Sequence, residues 1–289
     1  MDIKIIIDTG ADMPPELIKK YNFTVLPFMS VFGEKSYKTG VEITNEEFYN
    51  LLDASEKIPT TSQTPPGDML DCFIKETNEH DAVIYFTLSS KGSGQNHTAH
   101  MMREEVLEQN PDAKLYIFDS MSYSVYIAQT VIKAAEMAAS GSTPEEILDF
   151  CGRYIKMWKC FLVVDDLKYL EKGGRINKTT AIVGSLLDIK PVLTIAHGLV
   201  EPEDKLRGKK KVLDKLISKI EEYPNFDSEK KQFIIVESDS ERGDEAEKKL
   251  CEHFGDGCVV LRSEFGAVVG THVGRGAVAI LFATKEPIE

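Results

Sequence analysis

No apolar run in this chain of 289 residues approaches the roughly 20 needed to span a bilayer, which excludes a membrane-spanning helix. Cysteine is also sparse. Five are present, Cys72, Cys151, Cys160, Cys251 and Cys258, an odd number with no C-x-x-C pair and no His–Cys ligand spacing. That excludes a complete disulfide framework and argues against a zinc site or any other metal. Reduced core thiols in a cytoplasmic protein are expected. Positive charge is short as well: 34 Lys and Arg face 47 Asp and Glu, for a net charge of −13. Phosphate repulsion then argues against nucleic acid as a partner. The opening, Met1–Asp8, has too short an apolar stretch for a secretory leader and no small-residue cleavage site. It reads as a first buried strand.

What is present is an ordinary globular composition, 42% hydrophobic and 28% charged, at a length comfortable for two domains. Residues 1–160 alternate strand-like and helix-like segments. The strands are expected at Ile3–Ile7, Thr24–Met29, Ala82–Leu88 and Lys114–Phe118. Capping boxes open helices at Thr44-Asn45-Glu46-Glu47 and Thr143-Pro144-Glu145-Glu146, and Thr64-Pro65-Pro66 marks another start. Strands separated by helices suggest βαβ units, so the fold class is α/β with an N-terminal doubly wound parallel-sheet domain. From Phe161 to Glu289 the texture changes to α+β. Strands are expected at Phe161–Val164, Ile189–Ile195, Leu199–Glu201, Phe233–Glu237, Val259–Ser263 and Ala277–Phe282. Helices are expected at Leu167–Lys172, Ala181–Leu187, through the stripe Val212, Leu213, Leu216, Ile217 and Ile220, and near Glu241–Phe254.

The chemistry concentrates in a few turns. Ser89-Ser90-Lys91-Gly92-Ser93-Gly94 follows a buried strand and precedes a helix, so backbone N–H groups and hydroxyls can stabilise an anion there. It is neither a G-x-S-x-G elbow nor a P-loop. A helix cap and an anion cradle are equally open readings. Thr60-Thr61-Ser62-Gln63-Thr64 is a second hydroxyl-rich turn, with Thr64 already explained as a cap. Gly270–Gly276 is a glycine-rich bend carrying His272, a hydrogen-bond donor or an acid/base near neutral pH. Lys205-Leu206-Arg207-Gly208-Lys209-Lys210-Lys211 is the one dense basic cluster. Read as a helix start it opposes the helix dipole, so docking of an anionic group or acidic partner is an alternative to a solvated face.

Taken in order, these segments resemble the DegV family of bacterial fatty-acid-binding proteins. Asp8-Thr9-Gly10-Ala11-Asp12 is similar to its D-S-x-x-D opening and Thr61-Ser62-Gln63 to its T-S-Q-P element, with Thr64 where proline is usual. Ser89-Ser90-Lys91-Gly92-Ser93-Gly94 matches its S-S-x-x-S-G turn. Asp166–Ile176, with its Gly173-Gly174-Arg175, resembles the family's most recognisable string. Ile189–Leu193 and Gly270-Thr271-His272-Val273-Gly274 match two more, so the likeness covers nearly the whole chain.

The resemblance implies a long-chain fatty acid in an apolar tunnel between two α/β domains, with no cofactor. It assigns the carboxylate to Thr61 and Ser93, with Ser62, Gly94 and His272 completing the site. Arg175 and Arg207, with Lys209 and Lys210, are implied in head-group electrostatics or partner docking. A separate fatty acid kinase subunit would phosphorylate the presented carboxyl, so no catalytic residue is expected here. Transient membrane contact would serve lipid exchange. The chain departs from the pattern at Met121–Tyr126, where small residues are common, and at Lys91 and Arg275. Two hydroxyls, backbone N–H groups and an arginine or protonated histidine could offset the cost of burying a carboxylate. The alternative reading is a stand-alone phosphoryl- or acyl-transferring enzyme with His272 as acid/base and Arg175 or Arg207 as anion clamp.

Overall fold

A strand that is mostly apolar, without regular polar alternation, is covered on both faces, and the first unit is built around two of these. The computed structural model describes residues 1–176, 189–207 and 211–288. It divides the chain into two units, Met1–Ile155 with Gly266–Thr271, and Lys156–Phe265 with His272–Glu289. The expected helix Ala181–Leu187 and the cations Lys209 and Lys210 lie outside the described residues, and of Arg207 only the backbone is described.

In the first unit β1 (Ile3–Asp8) leads through α1 (Pro15–Tyr21) to β2 (Thr24–Leu26). A hairpin of β3 (Met29–Phe32) and β4 (Lys35–Lys38) follows, then α2 (Asn45–Ala54), β5 (Thr60–Ser62) and α3 (Pro66–Glu79). The chain then re-enters the sheet with β6 (Ala82–Thr87), α4 (Gln95–Gln109), β7 (Leu115–Asp119), α5 (Val125–Ala139) and α6 (Pro144–Tyr154). The main sheet has the order β2-β1-β6-β7, parallel throughout, as the sequence predicts. Ile6, Val83 and Tyr85 share its core with Met69, Phe73 and Ala99 from α3 and α4.

Two sequence expectations change here. Thr24–Met29 is not one strand, because Pro27 has no N–H to continue the ladder. The chain leaves the parallel sheet after Leu26 and starts β3 at Met29. Thr60–Ser62 is not a turn but the third strand of a small antiparallel sheet ordered β4-β3-β5, with Thr61 opposite Ser30.

The second unit is a six-stranded mixed sheet ordered β10-β9-β8-β13-β11-β12. It begins with β8 (Trp158–Val163), α7 (Lys168–Gly173), β9 (Ile189–Ala196) and β10 (Leu199–Arg207). After α8 (Val212–Glu221) come β11 (Phe233–Glu237), α9 (Ser240–Phe254), β12 (Val259–Glu264) and β13 (Val278–Ala283); α10 (Ala267–Val273), between β12 and β13 in the chain, belongs to the first unit up to Thr271. Among the described strands of this sheet only β11 and β12 pair in parallel, so the sheet is mixed and largely antiparallel, in keeping with the α+β texture expected for this half. The α8 stripe packs on it through Leu213, Leu216 and Ile220, beside Phe161 and Phe282. The basic cluster is divided: Lys205, Leu206 and Arg207 close β10, an edge strand where a register shift between Pro202 and Asp204 accommodates the proline, while Lys211 is the N-cap of α8. Gly270–Gly276 is not simply a bend, since its first four residues belong to α10.

Among the described residues, no helix is long and apolar enough to cross a membrane.

Candidate functional site: a hydroxyl crevice and a glycine–arginine turn

From β1 the chain moves to β2 on one side, then returns to β6 on the other. In such a sheet the crevice outside the carboxyl ends of the two diverging strands is where ligands bind. Here it is bordered by Asp8-Thr9-Gly10 after β1 and Leu88–Gly94 after β6.

Asp8 is buried in this crevice, where its Oδ1 accepts from Gly10 N–H at 3.0 Å and its Oδ2 from Leu88 N–H and Tyr85 Oη, both at 3.2 Å. Burial pushes its pKa up to about 7 against the pull of those three donors. The serine turn is less open to an anion than its sequence suggests. Gly92 N–H and Ser93 N–H donate to Ser89 O at 3.0 and 3.1 Å, and Lys91 N–H donates to Ser89 Oγ at 3.2 Å. Ser90 N–H donates to Asp119 Oδ1 at 3.1 Å. These four N–H groups are engaged by Ser89 and Asp119, which leaves the hydroxyls and Gly94 N–H as the turn's donors toward an anion. Ser93 Oγ accepts from Gln95 N–H at 3.2 Å, a bond that leaves its proton to be donated elsewhere. It therefore serves as a local cap and remains a donor.

The segments holding Ser93 and Thr61 are brought together. Thr64 N–H donates to Gln95 Oε1 at 3.1 Å, and a Cβ at Gly94 would stand 3.0 Å from Gln63 Oε1. Beside Thr61 in the ladder, Ser30 is fully buried, and its hydroxyl has no hydrogen-bond partner among the described residues.

The departure at Met121–Tyr126 has a steric counterpart. Ser122 O accepts from Ser89 N–H at 3.0 Å, and Ser124 N–H donates to Gly10 O at 2.9 Å, which locks this loop onto both motifs. The Tyr123 phenol lies where a Cβ at Gly92 would stand, so a larger residue there would require the ring to shift. At the opposite edge of the sheet, Glu76, Glu79 and His80 offer ligand atoms close enough to share a cation. Thr24 Oγ1 and His80 Nε2 already face the Glu76 carboxylate at 2.9 and 3.3 Å.

Arg175 and His272 belong to the second unit and are neighbours there. A Cβ at Gly173 would overlap His272 Nδ1, and the Arg175 guanidinium donates to Gly173 O. Burial, with the Arg175 charge beside it, brings the His272 pKa down to about 4. The imidazole is therefore neutral at physiological pH, which removes the protonated histidine expected as a counter-charge. The Ile189–Leu193 motif joins the same neighbourhood. Lys190 Nζ contacts Asp165 at 2.9 Å, immediately before the string that runs from Asp166 to Arg175.

Residues 2–285 match the DegV family, described as uncharacterised proteins. A DegV domain-containing protein of Caldanaerobacter subterraneus subsp. tengcongensis is 34% identical over 284 residues, 98% of this chain and 99% of its own. The chain belongs to the DegV family. Protein DegV of Bacillus subtilis is 30% identical over 286 residues, 99% of this chain and all of that one. The crystal structure of DegV as a fatty acid binding protein from Bacillus subtilis superposes with a TM-score of 0.85, at 29% identity, over 99% of this chain and 100% of that one. The crystal structure of a stearic-acid-binding protein from Eubacterium ventriosum gives a TM-score of 0.86, at 27% identity, over 98% of each chain.

Gln95 and Tyr123 were not singled out as site residues by the sequence. The signal for Gln95 was available: Tyr85 places a phenol inside an otherwise apolar buried strand, and such a group needs a polar partner. Tyr123 carried only the signal of an unusually bulky loop.

Proposed function

We propose that this protein binds a long-chain fatty acid, with the hydroxyls of Thr61 and Ser93 as donors to the carboxylate, and presents that carboxyl to a partner kinase. The observation that carries the reading is the Ser93 hydroxyl. It accepts from Gln95 N–H, keeps a proton to donate, and sits in a turn tied to the Thr61 segment at a sheet switch point. Relatives at 27–29% identity that match nearly the full length are fatty-acid-binding proteins. Arg175 is the second unit's charged candidate for head-group or kinase contact, with the neutral His272 beside it as a hydrogen-bonding group rather than an acid.

The tail supplies the affinity: at roughly 0.8 kcal/mol per buried methylene, about a dozen methylenes give on the order of 10 kcal/mol before binding costs. The donors orient the head group. Native mass spectrometry of the gently purified chain should show a co-purified fatty acid. A chain that is ligand-free and also ignores added palmitate sinks the reading. Ser93→Ala and Thr61→Val should each weaken palmitate binding roughly tenfold or more, the loss of one hydrogen bond to a charged group. With ATP and palmitate alone the chain should turn over nothing; acyl phosphate formed without a kinase would overturn the carrier role.

A further inference from the structure

The segments that carry Thr61 and Ser93 are joined by one side chain. Gln95, fully buried as the first residue of α4, has its Oε1 3.1 Å from Thr64 N and its Nε2 2.9 Å from Thr64 Oγ1 and 2.7 Å from Tyr85 Oη. The direction of each bond is forced. A backbone N–H can only donate, so Thr64 fixes the amide with its oxygen toward β5. Nε2 then donates both its protons, one to Thr64 Oγ1 and one to Tyr85 Oη. The phenolic proton goes to Asp8 Oδ2 at 3.2 Å, and the Thr64 hydroxyl donates to Pro27 O at 2.9 Å.

The chain of bonds therefore runs from β5 through α4 to β6 and β1 with one sense only, and bonds in such a chain strengthen one another. The main chain of the same residue completes the link, because Gln95 N–H donates to Ser93 Oγ at 3.2 Å. One residue holds the Ser93 hydroxyl by its backbone and Thr64, three residues beyond Thr61, by its side chain.

We propose that Gln95 is the positioning residue of the head-group site. It fixes the spacing between the Thr61 and Ser93 segments, and with it the preference for a carboxylate over an uncharged head group. The proposal rests on the fatty-acid reading above. A carboxylate needs donors at a set separation, whereas an apolar tail has no such demand. Loosening the tie should therefore cost acid binding and spare tail binding.

The test titrates the full chain with palmitic acid and with methyl palmitate, for the parent protein and for Gln95→Met, Gln95→Asn and Tyr85→Phe. Each variant is melted thermally to show that it folds. Gln95→Met removes all three side-chain bonds and should lower acid affinity about tenfold, with ester affinity unchanged. Gln95→Asn keeps the amide but is one methylene short of reaching both Thr64 and Tyr85, and should fall between. Tyr85→Phe cuts the link to Asp8 and should show a smaller loss of the same kind. Carboxyl-13C palmitate bound to Gln95→Met should show a shifted carboxyl resonance.

If Gln95→Met does not fold, the other two variants decide. An acid-over-ester preference unchanged in the folded variants overturns the proposal, and so does an equal loss of acid and ester, which marks a merely structural residue. A parent protein that binds neither ligand overturns the fatty-acid reading and this proposal together. Parent binding with unchanged variants removes Gln95 alone.

Discussion

Each unit buries a titratable side chain beside its motif residues, and burial moves the two in opposite directions. Asp8 in the first unit rises to about 7, while His272 in the second falls to about 4. Both shifts favour the neutral form. Their consequences differ at physiological pH, where Asp8 stands at its midpoint and His272 is uncharged. Around Ser93 and Thr64 the first unit's bonds run through hydroxyls, an amide and main-chain N–H groups, although the unit also holds ion pairs such as Lys38–Asp68 and Lys133–Glu136. The second uses full charges: Arg175 at the glycine turn, Lys190 and Arg242 on Asp165, and Arg262 on Glu237.

The largest expected effect sets these two groups against each other. The folded-state pKa of Asp8 lies above its ordinary 3.8, so its contribution to stability is complete below about pH 4 and is lost as pH rises through about 7. The loss is on the order of 4 kcal/mol. The folded-state pKa of His272 lies below its ordinary 6.5, so its contribution is complete above about pH 6.5 and is lost as pH falls toward 4. That loss is about 3 kcal/mol. The slopes oppose each other in the shared window. Urea unfolding from pH 4.5 to 7.5 should give a shallow profile for the parent chain. Asp8→Asn should uncover a loss on acidification, and His272→Gln a loss on raising pH. Three parallel profiles would break the comparison.

Much of this arrangement was legible in the sequence where the cause is local. The apolar-rich segments of β1 and β6 read as buried parallel strands, and both capping boxes, at Thr44 and Thr143, form as read. The α8 stripe did likewise, because helical spacing alone decides which face is buried. What escaped depends on partners distant in sequence. Nothing local separates Thr60–Ser62 as a strand from a turn; its pairing with Met29–Val31 decides it. The loss of the serine turn's N–H groups to Ser89 is a matter of how tightly the turn closes. The family resemblance points to Ser93 and Thr61, yet the bonds through Gln95 that join their segments arise from Thr64 and Tyr85 meeting in space.

A middle-sized effect tests whether each motif glycine is there for space. Neither Gly92 nor Gly173 has a positive φ, so backbone strain does not require glycine at either position. A Cβ at Gly92 would overlap the Tyr123 phenol and one at Gly173 the His272 ring. Gly92→Ala and Gly173→Ala should each destabilise by about 1–3 kcal/mol, the usual cost of overpacking. Tyr123→Ala should relieve the first and His272→Ala the second, each in its own double-mutant cycle. Costs that persist with the facing ring removed would show that the glycines serve the backbone, and the close approach would lose its meaning in both units.

The smallest effect sharpens the contrast between neutral and charged stabilisation. In the first unit Thr143 caps α6 with a hydroxyl that accepts from Glu146 N–H at 3.3 Å. In the second, the Asp239 carboxylate caps α9, accepting from Glu241 N–H at 3.1 Å and Arg242 N–H at 3.3 Å. Either residue changed to Ala should cost about 1 kcal/mol. Asp239 also places negative charge against the helix dipole, worth a further ~0.5 kcal/mol that salt screens. Raising the salt from 50 mM to 1 M should shrink the deficit of Asp239→Ala and leave that of Thr143→Ala in place, read as the difference in melting temperature from the parent. An equal salt response at both caps would mean that the charge on Asp239 adds nothing beyond its hydrogen bonds, and the contrast between the hydroxyl-rich motifs of the first unit and the charged motifs of the second would not extend to their helices.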